Sequence, residues 1–136
     1  MTARVVVAAC PGRMNDVVRQ TILVVDDDDD TRDAIAETLE EHGYRVVRKG
    51  SGRQAQQYLT TSAPPACMVL DLMMPDLDGW ALASFMRQGR LPRVPLIVVT
   101  AAGDQWGYPA PPECVLRKPL DPNRLVALVA RIAGTH

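Results

Sequence analysis

Residues 67–79 read Cys-Met-Val-Leu-Asp-Leu-Met-Met-Pro-Asp-Leu-Asp-Gly. A short apolar run that ends in an acid and then breaks at a proline describes a buried strand, one that delivers a carboxylate, Asp71, to its C-terminal end. Pro75 turns the chain, Asp78 is placed to cap a helix, and Gly89 is placed to stop it. The same grammar recurs on both sides. Upstream, residues 21–26 (TILVVD) form another apolar run ending in acid. A helical stretch follows at 31–43, with Ile35 and Leu39 one turn apart and Gly43 as its stop. Residues 44–49 (YRVVRK) read as a strand and 50–62 as a turn and a polar helix. Downstream, 94–100 (VPLIVVT) is apolar and β-branched in the manner of a parallel strand, and 114–117 (CVLR) is a short fifth strand. The last helix has Asp121 as cap, Pro122 at its first position and a stripe of Leu125, Leu128, Val129 and Ile132. Strands alternating with helices of these lengths predict a parallel α/β sheet covered on both faces, with right-handed crossovers.

The bulk composition agrees with one such domain. The chain has 136 residues, 47% of them hydrophobic but only 4% aromatic, so the core must be aliphatic. Fifteen Lys and Arg oppose sixteen Asp and Glu, a net charge of -1, and nothing in that balance asks for nucleic acid. No apolar run reaches the length that crosses a membrane. Residues 1–20 read as a flexible N-terminal extension and 21–136 as the folded domain. The apolar run near the N-terminus is too short for a signal peptide, and Met14 is an alternative start. Cys10, Cys67 and Cys114 show neither disulfide nor zinc spacing, which fits a reducing, cytoplasmic setting.

The strand ends carry the chemistry. In an open parallel sheet, ligands bind at the C-terminal ends of the strands. Here those ends are Asp26 and Asp27, Asp71, Thr100 and Lys118. Three carboxylates in one crevice repel unless a cation lies among them. Mg²⁺ prefers such oxygen ligands. A lysine beside them implies a second, anionic ligand, and phosphate is the obvious one. Asp71, set between an apolar strand and a turn, suits a nucleophile that forms an aspartyl-phosphate. Mg²⁺, Lys118 and the Thr100 hydroxyl are groups that stabilise the charge developing on a phosphoryl group in transfer.

The pieces ILVVDDD, VLDLMMPDLDG, PLIVVTA and RKPL, in that order across residues 21–133, resemble the receiver domain of two-component response regulators. The resemblance implies a flavodoxin-like, doubly wound five-stranded sheet of order 2-1-3-4-5. It implies Asp71 as phosphoacceptor, Asp27 as a direct Mg²⁺ ligand and Asp26 as a ligand acting largely through water. The Met73 backbone carbonyl would be a third protein ligand. Thr100 matches the hydroxyl that turns toward the phosphoryl group, and Lys118 the lysine that pairs with it, with a Lys118–Pro119 bond that is commonly cis. The donor would be a histidine kinase or histidine phosphotransfer protein, and output would be docking to a downstream protein or phosphorelay, without nucleic acid or membrane contact. Because the chain ends just after the last helix, it is expected to act as a stand-alone receiver.

Two departures stand out. Val115 occupies the position where the family usually has Tyr or Phe, and it cannot make that ring's inward swing. The proline-rich segment 101–114 replaces the fourth helix, which is expected to be shortened or missing because Pro109, Pro111 and Pro112 interrupt it. A phosphorylation-independent pseudo-receiver is therefore the alternative. Met73 and Ala102 offer no polar group to position an attacking water, so slow self-dephosphorylation is expected. The spacing Asp27-x-Asp29-x-Thr31 also fits haloacid-dehalogenase-type phosphatases, but that fold needs a later acidic pair after a strand, and strand four ends in Thr100. The remaining acids have plainer readings: Asp28, Asp29 and Asp30 as a solvated helix start, Asp76 and Asp78 as turn and cap residues. Arg45, Arg48, Lys49 and Arg53 read as a solvated basic face, Trp80 and Phe85 as packing residues, and Trp106 with Tyr108 as an exposed docking patch.

Overall fold

The computed structural model describes residues 20–72, 79–101 and 114–133. The described residues form five strands and four helices: β1 Thr21–Val25, α1 Asp29–Glu41, β2 Arg45–Lys49, α2 Gly52–Thr61, β3 Cys67–Asp71, α3 Gly79–Arg87, β4 Leu96–Thr100, β5 Val115–Arg117 and α4 Pro122–Ala133. All strand pairs are parallel, in the order β2-β1-β3-β4-β5. This is the doubly wound sheet expected from the alternation of elements. The segment expected to lack its helix, the carbonyl of Met73, the turn and cap acids Asp76 and Asp78, and the aromatic pair Trp106 and Tyr108 lie outside the described residues, as does the N-terminal extension up to residue 19.

Strand alternation splits the core between two faces. Ile22, Val24, Cys67, Val69, Ile97, Val99 and Leu116 point to one side, where Ile35 and Leu39 of α1 and Leu125, Leu128 and Val129 of α4 cover them. Leu23, Val25, Met68 and Leu70 point to the other, against Ala55 and Leu59 of α2 and Leu82, Ala83 and Met86 of α3. Burying both faces explains why the central strands read as continuous apolar runs. It also explains why the sheet needs few aromatics.

The helix ends follow local chemistry. Gly43 and Gly89 end α1 and α3 at φ +92° and +76°, a left-handed backbone that other residues resist. Their N–H groups donate to Glu40 and Met86 carbonyls at 3.0 and 3.2 Å. Ser51 caps α2, accepting from the Gln54 N–H at 3.2 Å, and the Gln54 side chain reaches back to the Gly50 N–H at 3.0 Å. Asp121 precedes Pro122 as expected and accepts from the Asn123 N–H at 3.0 Å. α1 begins two residues before the expected Thr31, because Asp29 and Asp30 supply its first turn and suit the positive end of the helix. Tyr44, read as part of β2, instead turns into the core ahead of the strand, 7% exposed.

Candidate functional site

Strand register assembles the site. Val25 pairs with Leu70, so the next residues, Asp26 and Asp71, emerge side by side from β1 and β3. Asp71 pairs with Val99, which puts Thr100 one step beyond on β4. Thr100 pairs with Arg117, and Lys118 follows at once, its N–H donating to the Thr100 carbonyl at 3.0 Å. The expected residues Asp26, Asp27, Asp71, Thr100 and Lys118 thus gather along one end of the sheet.

Ligand atoms from Asp26, Asp27 and Asp71 lie within 4.8 Å of one another, the one such group of metal-binding side chains among the described residues. Asp26, Asp71 and Thr100 are buried at 1%, 4% and 1% exposure, and Asp27 is exposed. Lys118 Nζ lies 3.4 Å from Asp26 Oδ2 and 3.5 Å from Asp71 Oδ2. Burial by itself lowers the Lys118 pKa, but the charges of Asp71 and then Asp26 outweigh it and hold the ammonium above its ordinary range. The Lys118–Pro119 peptide is cis.

These residues fit a divalent cation. Asp26 Oδ2 is buried, with the Lys118 ammonium at 3.4 Å but no well-formed hydrogen bond among the described residues, so it can still accept a cation. Three carboxylates face a single ammonium, so a dication balances the set, and an all-oxygen donor group suits Mg²⁺. Two other aspartates of the run are otherwise engaged. Asp28 takes the Thr31 hydroxyl, which lowers the Asp28 pKa, and Asp29 pairs with Arg32 at 2.7 Å. The reading of Asp28–Asp30 as a helix start agrees with this arrangement.

Two further residues shape the site, and the sequence marks them only faintly. Arg32 donates from Nη1 to the Asp26 carbonyl at 3.1 Å. Its one sign in the sequence is its position three residues after Asp29, one helical turn on. Gly79 opens α3 directly against the end of β3. A Cβ there would come within 2.8 Å of the Asp71 carbonyl oxygen and 2.9 Å of Leu72 Cα. The glycine lets the helix approach the strand end that carries Asp71. Elsewhere the basic cluster is partly engaged: Arg48 pairs with Glu40 at 3.0 Å and Asp33 at 3.6 Å, and Lys49 sits over the Tyr58 ring. Phe85 packs partly against the core beside α2 and β3.

Comparison with known proteins agrees with the geometry. The sequence model of the response regulator receiver domain matches residues 22–130. Transcriptional regulatory protein SrrA of Staphylococcus aureus is 30% identical over 122 residues, covering 84% of this chain. The chain spans about half the length of that relative, 49%. Among solved structures, a Francisella response regulator receiver domain superposes with a TM-score of 0.74 at 25% identity, covering 85% of this chain and 97% of that one. The receiver domain of a signal transduction histidine kinase from Syntrophus aciditrophicus superposes at 0.70 with 28% identity, covering 84% of this chain and 89% of that one. With a fold, a sheet order and a family match that all coincide, this chain belongs to the response regulator receiver domains of two-component signalling.

Proposed function

We propose that this chain is a phosphoacceptor that takes a phosphoryl group on Asp71 from the phosphohistidine of a histidine kinase or a histidine phosphotransfer protein. The observation that carries the reading is the convergence of three carboxylates and one ammonium at the C-terminal ends of β1, β3 and β5. An Asp71 oxygen forms the new O–P bond as the P–N bond of the donor breaks, and the imidazole leaves. Asp71 is suited to this because the end of β3 holds it rigidly, its neighbour Leu72 donating to the Val99 carbonyl at 3.3 Å. Lys118 already stands 3.5 Å from Asp71 Oδ2 and offers its positive charge to the incoming phosphoryl oxygens. Thr100, buried at the end of the neighbouring strand, supplies a hydroxyl at the same end of the sheet. Asp26, Asp27 and Asp71, with the Met73 carbonyl expected from the family, would hold Mg²⁺, which when bound neutralises phosphoryl charge.

The residues act once per phosphoryl group, so the protein is a signalling acceptor and not a turnover enzyme. Release of the group by water is slow, on the reading of Met73 and Ala102 as apolar neighbours. Output runs through docking to a downstream protein or onward transfer to a histidine, in the cytoplasm, with no direct nucleic-acid contact by this domain. No helix among the described residues is long and apolar enough to cross a membrane. Val115, half-buried on β5 beside Val98, favours the second reading of a pseudo-receiver, since it offers no ring to follow Thr100 inward.

The test is intact mass after incubation with acetyl phosphate, with and without Mg²⁺, on wild type and Asp71→Asn. A Mg²⁺-dependent gain of one phosphoryl group, absent in the variant, supports the phosphoacceptor. A folded wild type that stays unmodified by acetyl phosphate and by a panel of histidine kinases supports the pseudo-receiver.

A further inference from the structure

Asp26 is held at three points that leave its Oδ2 for the cluster. Its N–H donates to the Lys49 carbonyl at 3.1 Å, its Oδ1 accepts from the Asp28 N–H at 2.9 Å, and its carbonyl accepts from Arg32 Nη1 at 3.1 Å. The first two use backbone groups of the strand and the turn as partners, the Lys49 carbonyl and the Asp28 N–H. The third depends on a single side chain. Arg32 is 17% exposed, and its second nitrogen holds Asp29 at 2.7 Å. Beside the nitrogen that serves Asp26 lies Gly50, where an added Cβ would come within 3.1 Å of Nη1. The guanidinium is therefore wedged between the end of β1, the first turn of α1 and the turn that enters α2.

The Asp26 carbonyl and the Asp27 N–H belong to one rigid peptide plane. Whatever fixes the carbonyl also fixes the direction in which Asp27 leaves the strand. Asp27 is exposed, so the direction of its carboxylate depends on the backbone that carries it. We propose that Arg32 is a positioning residue for the metal site: by clamping the 26–27 peptide it sets how tightly the three carboxylates take a divalent cation. This inference rests on the metal-dependent reading above. Charge alone would act in the opposite sense, because a guanidinium near the site repels a dication and its removal would tighten binding. The sign of the effect thus separates positioning from electrostatics. Lysine is a poor substitute, since a point donor cannot serve the carbonyl and Asp29 together as the planar fork does.

The experiment is calorimetric titration of the full chain with Mg²⁺ alone, on wild type, Arg32→Gln, Arg32→Lys and Gly50→Ala. Alongside it, the Mg²⁺ concentration for half-maximal labelling by acetyl phosphate is measured, and circular dichroism checks each fold. Arg32→Gln is expected to weaken Mg²⁺ binding about fivefold or more, the scale of one charge-assisted hydrogen bond. The half-labelling concentration should rise in step, while the rate at saturating Mg²⁺ stays within about twofold of wild type. Arg32→Lys should restore less than half of the loss. Gly50→Ala, which crowds the guanidinium without touching any carboxylate, should shift binding the same way by a smaller factor, and it carries the test if Arg32→Gln does not fold. Unchanged or tighter Mg²⁺ binding in folded Arg32→Gln, or in Gly50→Ala in its place, overturns the proposal and leaves the phosphoacceptor reading standing. A wild type that binds no Mg²⁺ overturns both.

Discussion

At the scale of single residues, the site depends on a glycine as much as on its acids. The nearest atoms to a Cβ at Gly79 are the Asp71 carbonyl oxygen and Leu72 Cα, backbone that cannot swing aside. Gly79→Ala must push the start of α3 off the end of β3, at a cost of about 1–3 kcal/mol in stability. Because the displaced backbone carries Asp71, labelling by acetyl phosphate should fall as well, even at temperatures where urea titration shows the variant fully folded. Cys67 gives a prediction of a different kind. Burial, reinforced by Cys114, pushes its thiol from the ordinary 9.0 up to about 12. The folded protein should resist iodoacetamide at Cys67 near pH 8 and react there only once denatured. Between pH 9 and 12 the unfolded chain releases this proton and the folded chain keeps it. Stability therefore falls as pH rises through that window, by up to about 1.4 kcal/mol per unit. The raised pKa of Lys118 adds a loss of the same sign at its upper end, as the ammonium and its pairing with the acids disappear. Urea titrations at pH 8 and pH 10 check the slope, and Cys67→Ala should flatten it.

At the scale of elements, α2 shows how little holds a polar helix in register. Its buried face is only Gly52, Ala55 and Leu59, so the reciprocal contacts of Ser51 and Gln54 matter. Ser51→Ala should lower stability by about 1 kcal/mol in urea titration. The same elements explain what the sequence reveals and what it hides. Strands buried on both faces must be apolar throughout, so β1, β3 and β4 stand out as runs, and their closing residues mark Asp26, Asp71 and Thr100 without any structure. The extent of α1 is harder to read: the apolar spacing marks the helix only from Thr31, while Asp29 and Asp30, which suit a solvated helix start, already form its first turn. Arg32 is only faintly marked for a related reason: its partner at the site is a backbone carbonyl, which leaves no complementary residue type there in the sequence. Gly79 was legible as part of a motif but not as a contact, since close approach of a helix to a strand end is a property of three dimensions.

At the scale of the whole molecule, the two halves of the core and the site are in tension. Helices on both faces bring the strand ends together, and in doing so they crowd three carboxylates around one ammonium. Without a cation that arrangement repels itself, so on the phosphoacceptor reading the fold carries a destabilised end that a bound cation would relieve. Mg²⁺ binding to the folded state alone should raise stability by RT ln(1 + [Mg²⁺]/Kd), about 2.7 kcal/mol at one hundred times Kd. EDTA should reverse the rise in melting temperature. Asp27→Asn removes one charge from the exposed rim of the cluster. In EDTA it should leave the protein as stable as wild type or more stable, by up to about 1 kcal/mol, because a repulsion has gone and little packing is lost. In Mg²⁺ it should lose most of the metal-induced stabilisation. The two shifts have opposite sign in one variant, which a merely structural aspartate would not produce. If Asp27→Asn instead destabilises the metal-free protein and keeps its Mg²⁺ response, the cluster serves the fold and the cation binds elsewhere.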